Sequence, residues 1–307
     1  MIDTKLITFM KLYETKSYTK TAEVLYITQP SVTHHIKTLE KNYNIKLFIN
    51  NKSFKLTKQG QLLYDYAMQL LTFDNEFENM MTNCISGTQK VNFAVTPGVM
   101  NGFLKWILPE WTKQNMFLDY SLEELAFNQI EEHLQTGTID FAIIDNNFNK
   151  RNLNYKVLHK TKLILAVGKK HHFADKKKIN FETLRNERFF IGTRQSGKRI
   201  FFENELKFRN CNIHDIIHLN ELNDPNIITS LVMDGIGVSV FYESEIENEI
   251  KMGKLIPIEL TEIKNTIEFT ILYSKTHLML PIIEKIAQDF VKIYKELNYL
   301  KYNSSFK

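Results

Sequence analysis

From Lys58 to about Ile85 the chain carries Leu62, Leu63, Tyr66, Ala67, Leu70, Leu71, Phe77, Met80 and Met81 at helical spacing, with no Pro or Gly after Gly60. The run stops at Ser86-Gly87-Thr88, a helix-terminating sequence. A helix of about 28 residues is about 42 Å long at 1.5 Å per residue. This element constrains the fold more than any other. It divides 307 residues into an N-terminal module, residues 1–60, and a C-terminal part, residues 89–307, joined by a linker over residues 58–88. An apolar stripe on so long a helix must be covered, by a second copy of the chain or by the core of one domain.

The two ends differ in charge. Residues 1–60 hold ten lysines, no arginine and four acids (Asp3, Glu14, Glu23, Glu40), a balance of +6 within a chain of net +4. A segment of that kind is attracted to a polyanion. Its pattern reads as a winged helix-turn-helix. Leu6, Phe9, Met10, Leu12 and Tyr13 share one helical face, and Ser17-Tyr18 breaks that helix. Thr19 is placed to N-cap a second helix through Leu25. Tyr26-Ile27-Thr28 turns the chain, Thr28 caps a third helix, and Pro30 falls in its first turn, where a missing N–H costs nothing. That helix, Gln29 to about Tyr43, turns Val32, Ile36 and Leu39 inward and shows Ser31, Thr33, His34, His35, Lys37 and Lys41 outward. Short polar groups at a helix N-terminus with cations further along suit the major groove of duplex DNA. A hairpin follows, with residues 45–49 and 54–56 as strands, Lys52 at the tip and Lys55 beside it.

The run Ala22-Glu23-x-Leu25-x-x-Thr28-Gln29-Pro30-Ser31-Val32-Thr33-x-x-Ile36-x-x-Leu39-Glu40, then Lys46-Leu47-Phe48 and Leu56-Thr57-x-x-Gly60, resembles the LysR-type transcriptional regulators. The rest of the chain has that family's length and layout. By that resemblance Gln29, Pro30, Thr33 and His34 contact DNA from the recognition helix and Lys52 from the wing, and the long helix pairs subunits. Two departures stand out. Many relatives carry Arg just after the position of Thr33, where this chain has His34-His35. Base preference is expected to differ, and binding to strengthen below about pH 6.5 as His charges. Relatives also often have Thr or Ser about ten residues before the glycine matching Gly137, where Phe127-Asn128 stands here. That predicts an apolar or aromatic side to the effector pocket.

Beyond residue 88, strands alternate with helices, as in an α/β fold. Strands are expected at 90–95, 118–122, 140–145, 163–167, 188–192 and 267–271, giving a mostly parallel sheet. Together with the resemblance, the layout is that of a two-lobed, periplasmic-binding-protein-like effector domain. Lobe one spans residues 90–162 and 268–300, and lobe two residues 163–267. Ligands of doubly wound sheets sit beyond the carboxyl ends of strands, where loops and helix N-termini offer N–H donors. This selects Thr96, Pro97 and Gly98 in lobe one, and Thr193, Arg194, Ser196 and Gly197 in lobe two, with Phe127 and Asn128. Arg194, Lys198 or Arg199 nearby favours a carboxylate or other small anion.

Other classes are disfavoured. No apolar run approaches the roughly 20 residues of a membrane span. The N-terminus, MIDTKLITFMKLYETKS, lacks the apolar stretch of a signal peptide, so a cytoplasmic protein is expected. Cys84 and Cys211 make neither a disulfide scaffold nor a Cys-rich zinc site. His214 and His218 have i,i+4 spacing without an HExxH pattern, and no nucleophile elbow or Walker loop occurs. No enzymatic activity, cofactor or metal is therefore expected. The resemblance implies a homodimer or homotetramer on an interrupted palindrome of double-stranded DNA, a small-molecule effector, and contact with RNA polymerase, more often as an activator. A two-lobed solute-binding protein without a transcriptional role is the alternative.

Overall fold

The computed structural model describes residues 2–50, 54–145, 148 and 153–304, with side chains through residue 297. The chain forms two compact units, Met1–Gly87 with His133–Thr138, and Thr88–Glu132 with Ile139–Lys307. Among the described residues no helix is long and apolar enough to cross a membrane.

The first unit is built on α1 (Thr4–Thr15), α2 (Tyr18–Val24), α3 (Gln29–Tyr43) and α4 (Lys58–Ser86). Each helix begins at a polar cap. Asp3 accepts from Lys5 N, Ser17 from Lys20 N, Thr28 from Ser31 N and Thr57 from Gly60 N. The second cap corrects the expectation that Thr19 serves. Ser17 has extended dihedrals (φ −156°, ψ 122°), so the expected break after α1 falls at Lys16-Ser17 and Tyr18 is already the first residue of α2. Val32, Ile36 and Leu39 of α3 are buried, as their spacing predicts, against Leu6, Phe9, Met10 and Leu12 of α1. The wing is narrower than two full strands. Phe48 and Leu56 form a single antiparallel bridge, and Ile49 N donates to Lys55 O at 2.8 Å. The tip, including Lys52, lies outside the described residues. The long helix runs unbroken for 29 residues and ends on Gly87 in the left-handed conformation, φ 68°.

The second unit runs β1 (Gln89–Val95), α5 (Pro97–Val99), a π-helical turn (Met100–Leu104), α6 (Lys105–Gln114), β2 (Leu118–Glu124), α7 (Phe127–Thr136), β3 (Phe141–Ile144) and β4 (Leu153–Gly168). It continues with β5 (Lys178–Ile179), α8 (Phe181–Leu184), β6 (Arg188–Ile191), α9 (Gly197–Lys207), β7 (His218–Glu221), α10 (Pro225–Met233), β8 (Val238–Tyr242) and α11 (Glu247–Lys251). Finally come β9 (Leu255–Leu260), β10 (Thr266–Ser274) and α12 (Leu280–Ser304). The strand order is β2-β1-β3-β10-β4-β8-β6-β7. Parallel pairs at each end, β2-β1-β3 and β8-β6-β7, make two lobes.

The sheet is mixed where a mostly parallel one was expected. Both strands that pass between the lobes run antiparallel to their neighbours. The expected crossing strand at 163–167 is only the second half of β4. Residues 153–162 pair with β10, and residues 163–167 pair with β8.

Aromatic packing fills the lobes. Phe93 stacks on Phe141 at 4.7 Å, and Phe189 on Phe202 at 5.5 Å. His159 of β4 lies 4.2 Å from the Tyr294 ring, against Phe103 and Phe269, and its Nε2 is 3.0 Å from the Tyr294 hydroxyl. Burial pushes this imidazole down from 6.5 to about 4. The unfolded chain therefore takes up a proton at this residue between those pH values, and the folded one does not. Its neutral state supports the fold fully above about pH 6.5, and that support is lost as pH falls toward 4. His159→Gln, which keeps a partner for Tyr294, is expected to flatten this part of the curve. Thermal midpoints at pH 7 and pH 5 check it: an equal drop in variant and parent refutes the assignment.

Candidate nucleic-acid interface and inter-lobe cleft

The exposed side of α3 is organised by its own cap. Thr28 Oγ1 lies 2.8 Å from Ser31 Oγ and 3.3 Å from Ser31 N, so the Ser31 hydroxyl is shared with the cap. Gln29 and Pro30 are exposed, and Thr33 donates to Gln29 O at 3.2 Å, leaving its oxygen free to accept. His34 is exposed, 3.5 Å from Thr38 Oγ1.

His35 behaves differently from the expectation that it faces DNA. It is half-buried, with Nδ1 2.9 Å from Thr8 Oγ1. Thr8 is fully buried and donates its own proton to Thr4 O at 2.8 Å. The hydroxyl must therefore accept, which puts the His35 proton on Nδ1. This side chain ties α3 to α1.

Gln29, Thr33 and Lys37, four residues apart, line an open groove of about 840 Å³ between α3 and the base of the wing. Lys46 and Asn50 stand on its far wall. In the sequence Lys46 stands out only as part of the Lys46-Leu47-Phe48 motif. Glu40 holds it in place, accepting from Lys46 Nζ at 3.0 Å and from Leu47 N at 3.0 Å, which fastens the wing to α3. Lys37, Lys46 and Lys55 are all exposed. A groove bordered by short polar groups and flexible cations accepts a phosphate backbone beside base edges.

In the second unit, the two lobes meet at Asp145, just after β3. This carboxylate is 1% exposed. It accepts from Thr96 Oγ1 of lobe one at 2.7 Å and from Tyr242 OH of lobe two at 2.7 Å. Burial pushes its carboxyl up, and drives the Tyr242 phenol well up too. Gly98 makes the room. A Cβ there would sit 2.0 Å from Asp145 Oδ2 and 2.7 Å from the Tyr242 ring. The Thr96-Pro97-Gly98 turn therefore holds an internal carboxylate, and Thr96 is 2% exposed.

Two of the three cations expected to attract an anion are also committed. α9 begins at Gly197, so Lys198 and Arg199 lie in its first turn and are buried. Lys198 Nζ donates to Glu245 at 2.8 Å. Arg199 reaches Glu203 at 2.8 Å, Glu221 at 2.6 Å and Gly192 O at 3.0 Å. Removing one partner of such a buried pair costs more than the pair contributes, which marks both as structural.

A cleft of about 450 Å³ opens beside Asp145, lined by Phe148, Gly197, Ile200, Phe201, Asn204 and Glu268 among others. That is within the range of small-molecule sites. Of the expected effector residues it includes Gly197. Phe127 is half-buried and Asn128 exposed in the first turn of α7, and neither lines the cleft. The aromatic residues that do line the cleft are Phe148 and Phe201. Thr193 and Ser196 are half-buried and Arg194 exposed in the turn before α9.

Among the described residues one trio, His171, His172 and Glu187, brings possible metal ligands together. Phe173 N donates to His171 Nδ1 at 3.2 Å, so a neutral His171 carries its proton on Nε2 and aims it at Glu187. In that tautomer neither nitrogen offers a free lone pair to a metal.

Comparison with known proteins decides the family. Residues 4–61 match the model of the bacterial regulatory helix-turn-helix protein, lysR family, and residues 86–295 that of the LysR substrate binding domain. The chain belongs to the LysR family of transcriptional regulators.

Among LysR relatives, an HTH-type transcriptional regulator of Methanocaldococcus jannaschii is 28% identical over 257 residues, covering 82% of this chain and 86% of its own. The HTH-type transcriptional activator CmpR of Synechocystis sp. is 26% identical over 298 residues, covering 94% of each chain. Full-length OxyR of Pseudomonas aeruginosa has the same fold, with a TM-score of 0.60 at 18% identity over 94% of each chain. Both halves of this LysR protein are thus accounted for, a DNA-binding head and an effector-binding domain. The alternative of a solute-binding protein without a transcriptional role falls with the match at residues 4–61.

Proposed function

We propose that this LysR-family protein acts in the cytoplasm as a homodimer or dimer of dimers, reading an interrupted palindrome of duplex DNA. A small molecule held in the inter-lobe cleft sets its activity, and the regulated promoter is activated through contact with RNA polymerase. The observation that carries this reading is the face of α3 formed by Gln29, Thr33 and Lys37, turned into an open groove beside the wing. Thr33 lies where base edges are reached and Lys37 where phosphates run. Pro30, Ser31 and His34 flank that face, Lys46 borders it, Lys55 is exposed opposite Ile49 in the wing, and Lys52 falls at the wing tip in sequence. The cleft, with Asp145 and Gly197 on its wall, supports effector binding.

Two substitutions test the DNA face. Thr33→Ala is expected to weaken binding to a selected operator more than to random duplex. Lys37→Ala is expected to weaken both, with the slope of log affinity against log salt shallower by about one. Gel-shift titrations at several salt concentrations measure both effects. Unchanged duplex affinity in both variants refutes the assigned face.

A further inference from the structure

The sequence pattern favours an anionic effector, but the cleft wall has the opposite character. Its charged groups among the described residues are two carboxylates, Asp145 and Glu268. Glu268 has its own cation, Lys160, at 2.7 Å. Asp145 receives two hydroxyl hydrogen bonds, but no described residue forms an ion pair with it. Lys198 is the cation felt at Asp145, and Glu245 holds its ammonium group at 2.8 Å. A carboxylate buried without a cation is costly, and hydroxyl donors supply no net charge. The apolar part of the remaining wall is Phe148, Ile200, Phe201 and Ile267, beside the neutral polar Asn204, Thr266 and Thr270, and a phenyl ring attracts a cation that lies over its face. Among the described lining residues, an anion entering here meets like charge and no base.

We infer that the cleft takes a small organic amine with an aromatic or aliphatic body, its ammonium group set against Asp145. This rests on the cleft being the effector site. An ammonium brings the missing charge and three donors to a carboxylate that already has two hydroxyl partners. The hydrocarbon body covers Ile200 and the two phenyl rings. Asp145 touches both Thr96 of lobe one and Tyr242 of lobe two, so a cation bound to it bears on both lobes at once.

The test uses the full chain and three probes sharing one body: phenethylamine, 2-phenylethanol and phenylacetate. Thermal unfolding and calorimetric titration read binding. The amine is expected to raise the midpoint while the alcohol and the acid leave it in place. Asp145→Asn is expected to lower amine affinity about tenfold or more. Tyr242→Phe removes a hydroxyl but keeps the carboxylate, so it should retain amine binding and shows that Asp145→Asn acts through charge.

Ile200→Trp, which fills the cleft, separates this proposal from the reading beneath it. Binding that survives Ile200→Trp overturns the cleft as the site. A preference for phenylacetate that Ile200→Trp abolishes leaves the cleft standing and overturns the amine. Amine binding indifferent to Asp145→Asn overturns the amine assignment, and so does the absence of any shift with phenethylamine.

Discussion

Gly60→Ala is expected to lower the melting midpoint of the DNA-binding unit by roughly 10 °C and to cost it operator affinity. Gly60 lies in the first turn of α4, where its N–H donates to the Thr57 cap at 2.9 Å. A Cβ at this position would sit 2.2 Å from the Leu47 carbonyl oxygen, 3.0 Å from its carbon and 3.2 Å from its Cα. These are backbone atoms, and no rotamer relieves them. The same Leu47 oxygen accepts from Thr57 N at 3.0 Å, so helix start and wing base are one construction. Ala gains about 1 kcal/mol of helix propensity over Gly. Forcing the backbones apart costs more, about 1–3 kcal/mol beyond that gain. For a unit of this size each kcal/mol moves the midpoint by about 4–8 °C. Calorimetry of the full chain separates the two units, and the effector-domain transition should stay in place. A variant melting within a degree of the parent would show that Gly60 is not confined as the geometry states.

The second large effect concerns the outer face of α4. Leu63 and Ala67 turn inward to the head, whereas Leu62, Tyr66, Phe73, Phe77, Met81 and Ile85 are exposed. Leu62 is 71% and Ile85 82% exposed in the single chain. Apart from a seven-residue step, these positions recur every four residues along one face, the stripe that an antiparallel or parallel helix partner covers. Phe77→Glu is expected to leave the fold intact, because the ring is 55% exposed. It is expected to convert the proposed dimer to a monomer by placing a charge within the seam that a partner helix would cover. Linking two half-site binders strengthens binding by about 10²–10⁴, and that factor is what the variant should lose on a palindrome. Affinity for an isolated half-site should not change. Light scattering and gel shift on both DNA targets measure this, and a variant that stays dimeric refutes the assigned seam.

What the sequence made legible follows the range of the interactions. α3, its Thr28 cap and its buried Val32, Ile36 and Leu39 depend on neighbours within a few positions, and the structure has them as read. The same holds for α4 and its stop at Gly87. The local pattern puts the cap of α2 at Thr19, and only the extended backbone of Ser17 shows that Ser17 serves instead.

Interactions across long sequence separations were not legible. Lys198 looked like a free cation because Glu245 is 47 residues away, and Arg199 because Glu221 is 22 away. His35 looked exposed because Thr8, its partner, lies 27 residues earlier. Thr96 looked like a ligand because Asp145, which it serves, is 49 residues on. In each case the chemistry of the residue was read correctly, but its partner is supplied by the chain itself. The first half of β4 was missed because Leu153–Lys162 mixes polar and apolar residues without strict alternation, as suits a strand half-buried on both faces.

One strand belongs to both lobes. β4 passes from the ladder with β10 to the ladder with β8 between Lys162 and Leu163 without a break, and β10 returns beside it with a bulge at Phe269 and Thr270. A connection of that kind resists bending, because bending would tear hydrogen bonds from one sheet or the other. It yields to torsion, which a twisted ladder absorbs a few degrees at a time. Mechanically the effector domain is a pair of blocks on a torsion bar. Rotation of one lobe against the other is the motion such a connection opposes least, and the bulge in β10 interrupts the ladder beside β4 at Phe269 and Thr270.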